Sequence, residues 1–212
     1  NINDLGSFGK FDFGIEVHTT SLEPEKSFNK EISLKKINQR LLFSVSVFHN
    51  RLTNLIDRAP SVYNGDSMYN GDRVYSKENI GEAVIYGGEF EFVIKPAKNL
   101  DIFSHLTYTY GQNISANEPL RRIPPLFGKT GFRHRPVEGL YYEFEMLFAG
   151  SQKRLAAGDK SDHRINPNGT PGWVTIQCRA GYNWRWLSIQ SGIENLLDQS
   201  YRMHGSGING YG

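Results

Sequence analysis

The sequence repeats one pattern along most of its length: apolar and polar residues alternate with a period of two, the spacing of a strand that shows a different environment to each face of a sheet. Leu41, Phe43, Val45 and Val47 oppose Leu42, Ser44, Ser46 and Phe48, and Phe90, Phe92 and Ile94 oppose Glu89, Glu91, Val93 and Lys95. Leu100, Ile102, Leu106, Tyr108 and Tyr110 oppose Asp101, Phe103, His105, Thr107 and Thr109, and Leu140, Tyr142, Phe144, Met146 and Phe148 oppose Tyr141, Glu143, Glu145 and Leu147. Further candidates are Trp173 to Tyr182 and Leu187 to Asn195. Weaker ones are Phe11 to Thr20, Phe28 to Lys35, Tyr75 to Ile85 running into the Phe90 strand, and Phe127 to Arg135. The pattern predicts an all-β chain of about nine strands with no helix.

The connections fall into two kinds. Those at Ile37-Asn-Gln, Pro96-Ala-Lys-Asn, Pro136-Val-Glu-Gly and Asn183-Trp-Arg-Trp are short, whereas those spanning Arg51 to Ile80, Gln112 to Pro125 and Gln152 to Gly172 are long. Short and long alternate strictly, so the long ones emerge at one end of an up-and-down antiparallel sheet. Transmembrane β-barrels have that asymmetry.

Composition is compatible with this. A chain of 212 residues has no run of about 18 apolar residues, so no transmembrane helix is expected. Its negative mean hydropathy does not argue against a membrane, because a barrel strand turns only every second residue to lipid. Aromatic residues make up 13% of the chain, suiting strands and interfacial belts. A net charge of +2, spread among acidic residues, provides no footprint for nucleic acid. The single cysteine, Cys178, excludes an intramolecular disulfide and reads as a small hydrophobe on the face of Val174, Ile176 and Ala180. The chain opens without a signal peptide and closes in a glycine-rich stretch, so both ends read as cut.

Opposite charges recur on the polar face. If like faces pair across the short turns, Arg133 lies opposite Glu143, Lys95 opposite Asp101 and Glu91 opposite His105. Such pairs suit a closed, wet interior, and equally the solvated face of a soluble sheet. The apolar face of successive strands favours the membrane, since in water it needs a second layer over it. A secreted soluble β-sandwich acting as a carbohydrate-binding module remains the alternative.

Two motifs carry a family resemblance. Leu22-Glu-Pro-Glu-Lys-Ser-Phe-Asn-Lys-Glu resembles a segment of TonB-dependent outer-membrane receptors, and Gly192-Ile-Glu-Asn-Leu-Leu-Asp-Gln-Ser-Tyr-Arg-Met-His-Gly-Ser-Gly resembles the C-terminal signature of that family. Asp162-His-Arg-Ile followed by Gly169-Thr-Pro-Gly-Trp is similar to family members as well. The resemblance runs from about Leu22 to Gly212. It implies the C-terminal part of a 22-stranded barrel in a bacterial outer membrane, with no plug domain in this chain. It also implies uptake of a scarce bulky nutrient, foremost a ferric siderophore, energised by TonB through a plug that precedes Asn1. Lipid and lipopolysaccharide are the surrounding partners it implies.

Within the long connections, Tyr63-Asn-Gly-Asp and Tyr69-Asn-Gly-Asp repeat at a six-residue interval. Asn-Gly favours turns with positive φ, so these read as two tight turns; alternatively Tyr63, Tyr69, Asp66 and Asp72 form a ligand platform. Arg121 and Arg122, with Lys153, Arg154, Lys160, His163 and Arg164, place positive charge on two other loops, which suits anionic ligands or ordinary solvation. Asp159, Asp162 and His163 are metal-ligand types without a diagnostic spacing, so no metal site is assigned. Gly205-Ser-Gly-Ile-Asn-Gly matches a dinucleotide fingerprint by letter only, lacking the helix and acidic residue that would follow it. No hydrolase, zinc-protease or P-loop motif occurs, so no catalytic residue or cofactor is expected.

Overall fold

A computed structural model describes residues 7–11, 14–160, 162, 165–206 and 209–210. The strands are β1 (Gly9–Phe11), β2 (Gly14–Val17), β3 (Lys26–Ile37), β4 (Leu41–Pro60), β5 (Met68–Tyr69), β6 (Asp72–Ala97), β7 (Leu100–Asn113), β8 (Glu118–Pro119), β9 (Phe127–His134), β10 (Leu140–Ala149), β11 (Trp173–Trp184), β12 (Leu187–Ile193), β13 (Tyr201–Arg202) and β14 (Asn209–Gly210). One helical turn, α1 (Ala157–Lys160), lies in the β10–β11 connection, where no helix was expected. Its four residues are too few to leave a periodicity in the sequence.

Each long strand pairs with the next, in the order β3, β4, β6, β7, β9, β10, β11, β12. The β7–β9, β9–β10, β10–β11 and β11–β12 pairs are antiparallel. Short turns hold the hairpins. Asn38 caps the β3–β4 turn by accepting hydrogen bonds from the backbone N–H groups of Arg40 (2.9 Å) and Leu41 (2.8 Å). Gly139, at φ +82°, closes the β9–β10 turn in a conformation that side chains rarely adopt.

The chain divides into two compact units, one of residues up to 29, 50–84 and 112–118, the other of residues 30–49, 85–111 and 119–212. In the first, Ile15, Val17 and Val74 form a small apolar cluster against which Tyr63 and Tyr69 pack. Here β2 runs parallel to β6, with Ile15 opposite Val74, a local departure from the antiparallel pattern.

In the second unit carboxylates are buried on one face and apolar side chains exposed on the other, the reverse of the usual arrangement in water. Ile102, Phe132, Phe144, Cys178 and Ile193 stand opposite one another on five successive strands. Ile102, Phe132 and Tyr142, all on that face, keep 39%, 43% and 48% of their surface exposed. On the opposite face Glu143 and Glu145 keep only 8% and 6%. Burying carboxylates while leaving aromatics open is unfavourable in water and favourable when the outer solvent is hydrocarbon. Among the described residues no second layer covers the aromatic row, which sets the sandwich aside.

One expected boundary is corrected. The connection placed at Arg51 to Ile80 is only residues 61–71, because β4 continues to Pro60 and β6 begins at Asp72. The left-handed Asn54, at φ +58°, breaks the period of two inside β4 and hides its second half. A membrane strand needs about 9–11 residues, so the 20 residues of β4 and 26 of β6 project well past a bilayer.

Candidate functional site

The polar face of the second unit is a ladder of alternating charge. Asp101, Arg133, Glu143 and Arg179 occupy opposing positions on β7, β9, β10 and β11. Glu143 accepts a hydrogen bond from Arg133 Nε (2.6 Å) through one oxygen and from Arg179 Nη1 (3.3 Å) through the other. Arg179 also reaches Glu194 (3.3 Å), and Lys129 bonds Glu145 (3.0 Å). The register expected for Arg133 and Glu143 is therefore observed. The pairing expected for Lys95 and Asp101 is corrected: Arg135 takes the Asp101 carboxylate at 2.7 Å. Arg133, directly opposite Asp101, is committed to Glu143, so the longer diagonal reach from Arg135 fills its place. No ion pair between Glu91 and His105 is found among the described residues. Asp101, Glu143, Glu145 and Glu194 thus each have a cation partner.

Aromatic rings fill gaps in this wall. Tyr141 stands opposite Gly181 and Phe103 opposite Gly131. Arg133 lies over the Tyr141 ring at 5.4 Å and Lys129 over Phe103 at 5.9 Å.

The loop residues proposed for ligand contact divide between the two units. In the first, Asn64 and Gly65 and again Asn70 and Gly71 have positive φ, forming the two tight turns expected of the repeated tetrapeptide. The rings of Tyr63 and Tyr69 meet edge to face at 5.1 Å and are half-buried, so they present edges and not two free faces. Asp66 accepts a hydrogen bond from the Met68 N–H (2.9 Å), and Asp72 pairs with Lys10 (2.8 Å). Beneath them Glu16 is buried beside Arg58, with Lys77 Nζ at 3.7 Å. Burial pushes the Glu16 carboxyl up, but the hydrogen bond from Ser7, the hydrogen bond and charge of Arg58, and the charge of Lys77 outweigh it, holding the group below the usual carboxylate range.

In the second unit, Arg121 and Arg122 turn to Asp159 and Asp162. The Arg122 backbone N–H bonds Asp159 Oδ2 (3.0 Å), its guanidinium bonds Asp162 Oδ2 (3.1 Å), and Arg121 Nε lies 3.7 Å from Asp159 Oδ1. Asp159, the third residue of α1, is fully buried. His163 and Arg164 lie outside the described residues. Among the described residues no group of three metal-ligating side chains converges.

Sequence reading missed what sits beside this cluster. Gln152 and Thr170 bridge the base of the β10–β11 connection by two 2.9 Å backbone bonds, and Gln152 Nε2 donates to the Ile123 carbonyl at 2.9 Å. Thr170 Oγ1 is 2.9 Å from His204 Nδ1, and the Tyr201 ring lies tilted against Trp173 with centroids 4.4 Å apart. These contacts join residues distant in sequence and leave no local signal.

Comparison with known proteins agrees with the geometry. Residues 1–196 match the family model described as TonB dependent receptor-like, beta-barrel. An iron-regulated outer membrane virulence protein of Vibrio cholerae serotype O1 is 27% identical over 186 residues, covering 84% of this chain and 28% of that protein. The chain thus spans under a third of that relative's length. A variant of the ferric enterobactin receptor from Pseudomonas aeruginosa, solved in complex with enterobactin, superposes with a TM-score of 0.75 at 20% identity, over 99% of this chain and 33% of that one. The FrpB iron transporter from Neisseria meningitidis gives 0.74 at 15% identity, over 94% and 31%.

Proposed function

Because the chain belongs to the TonB-dependent receptor-like β-barrel family of the bacterial outer membrane, we propose that it is the C-terminal part of a receptor barrel that takes up a scarce bulky nutrient, foremost a ferric siderophore or similar iron chelate. The observation that carries this reading is Glu143 held between Arg133 and Arg179 on the face opposite an exposed aromatic row. A wall of that kind suits a wet passage through hydrocarbon. The iron-related relatives supply the cargo class.

In this reading TonB provides the energy through a plug that precedes the chain. Lipid and lipopolysaccharide surround the aromatic row. Tyr63, Tyr69, Asp66, Asp72, His163 and Arg164 contact the ligand, while Arg121 and Arg122 contribute by holding the β10–β11 connection in place.

The test is uptake of radioactive iron by cells expressing the full-length receptor, supplied as ferric enterobactin or as a ferric hydroxamate. Accumulation that needs both the receptor and TonB is the expected result. Failure to bind or import either chelate, with import of cobalamin or a glycan instead, would overturn the cargo class and leave the barrel intact.

A further inference from the structure

Three segments distant in sequence meet around the buried Asp159 and Thr170 of the β10–β11 connection: Arg121 and Arg122 before β9, that connection itself, and His204 after β12. The contact on the last segment has an unusual feature. His204 Nδ1 is satisfied by Thr170 Oγ1, but Nε2 is out of solvent with no hydrogen-bond partner, and so is Oδ1 of the fully buried Asp159. The contact therefore suits the neutral imidazole, for which an unsolvated edge costs less than it does for the charged ring.

We propose that the His204–Thr170 contact is an acid-sensitive latch that fastens the segment Tyr201–Gly205 onto the β10–β11 connection at neutral pH and releases it when His204 takes up a proton. Protonation places a full charge on a ring with one buried nitrogen. The charge that acts on the ring is Asp159 on the β10–β11 connection; Arg121 pairs with Asp159 and Arg122 with Asp162 in the same cluster, and Arg202 lies two residues away on the segment of His204 itself. Asp162 is taken by the Arg122 guanidinium, and Asp159 is held by the Arg122 backbone N–H with Arg121 Nε at 3.7 Å, so the Asp159 charge opposes the cost of burying an imidazolium without cancelling it. Burial accordingly holds His204 below the ordinary histidine value despite the attraction of Asp159. Released, the ring regains water and its ordinary affinity for the proton. Other contacts of the segment include the Trp173–Tyr201 ring contact, the β13–β14 pairing and the approach of Gly205 to Arg122, none of which titrates in this range.

The sign follows from linkage. The released state binds one more proton, so the population of released segment is flat above the ordinary histidine value. It rises by up to about tenfold per pH unit below about 6.5, until the latched form protonates too. The latch acts whatever the cargo.

Hydrogen exchange of the full-length receptor in lipid, read on peptides covering 150–172 and 199–206 and corrected for intrinsic rates, tests this at pH 7.5 and 5.5. Wild type should exchange several-fold faster at the lower pH. His204→Gln, which cannot charge, should abolish the difference, and Thr170→Val should raise exchange at pH 7.5 toward the acid value. A wild type indifferent to pH, or a His204→Gln variant with the wild-type pH response, would overturn the latch.

Discussion

Tyr141 occupies the space that a side chain on Gly181 would need. The two stand directly opposite on β10 and β11, and a Cβ at position 181 would lie 2.7 Å from Tyr141 Cζ. The ring covers the cross-strand glycine and in turn carries Arg133 over its face. A residue with no side chain and one with a large side chain make one fitted pair in the polar wall.

Gly181→Ala should therefore overpack the wall and destabilise the barrel by about 1–3 kcal/mol. Tyr141→Ala in the same molecule should recover most of that loss, because the added methyl then has room. Urea titration of the full-length receptor in lipid, as a double-mutant cycle, measures the coupling. Additive effects would mean the ring does not fill that space.

Glu143 and Glu145 sit two residues apart on one face, yet their removal should differ in cost. Glu143→Gln leaves Arg133 and Arg179 both without their shared carboxylate, whereas Glu145→Gln releases only Lys129. The three cations are each 40–49% exposed in their side chains, so solvent softens both losses. A lowering of stability by about 1–3 kcal/mol is expected for Glu143→Gln, and a smaller one for Glu145→Gln. The same urea titration checks the ranking.

Glu16 makes the first unit sensitive to acid. Its folded carboxyl is held below the usual carboxylate range, so its contribution is complete above that range and is lost as pH falls through the lower folded value. Proteolysis of the full-length receptor within residues 55–80, followed with an acid-tolerant protease, should accelerate over that window in wild type. Glu16→Gln should be susceptible throughout and show no comparable step.

The strand pattern and one ion pair are legible in the sequence because both depend on local rules. The short Pro136-Val-Glu-Gly turn sets the β9–β10 register, and parity then puts Arg133 on Glu143. At Asp101 register alone does not choose the partner, because the strand has two neighbours and Arg135 on the far one takes the carboxylate at 2.7 Å. The outer half of β4 is hidden because the left-handed Asn54 breaks the alternation there, whereas that of β6 is legible from Tyr75 onward only as a weak candidate. Asp159 offers no signal at all, since its burial depends on Arg121 and Arg122 arriving from 37 or more residues away. Tyr141 over Gly181 follows from the sequence only if the register is carried one strand further, across the long β10–β11 connection.

The central claim is that the row of Tyr142, Phe144 and Met146 faces hydrocarbon while Tyr141, Glu145 and Leu147 face a wet interior. Spin labels placed one at a time at these six positions, in the full-length receptor in lipid with Cys178→Ala, read this directly through collision with oxygen and with a water-soluble nickel complex. Oxygen should dominate at 142, 144 and 146 and fall at 141, 145 and 147, with nickel showing the opposite preference. Uniform accessibility along β10, or oxygen preference on the glutamate face, would contradict the account.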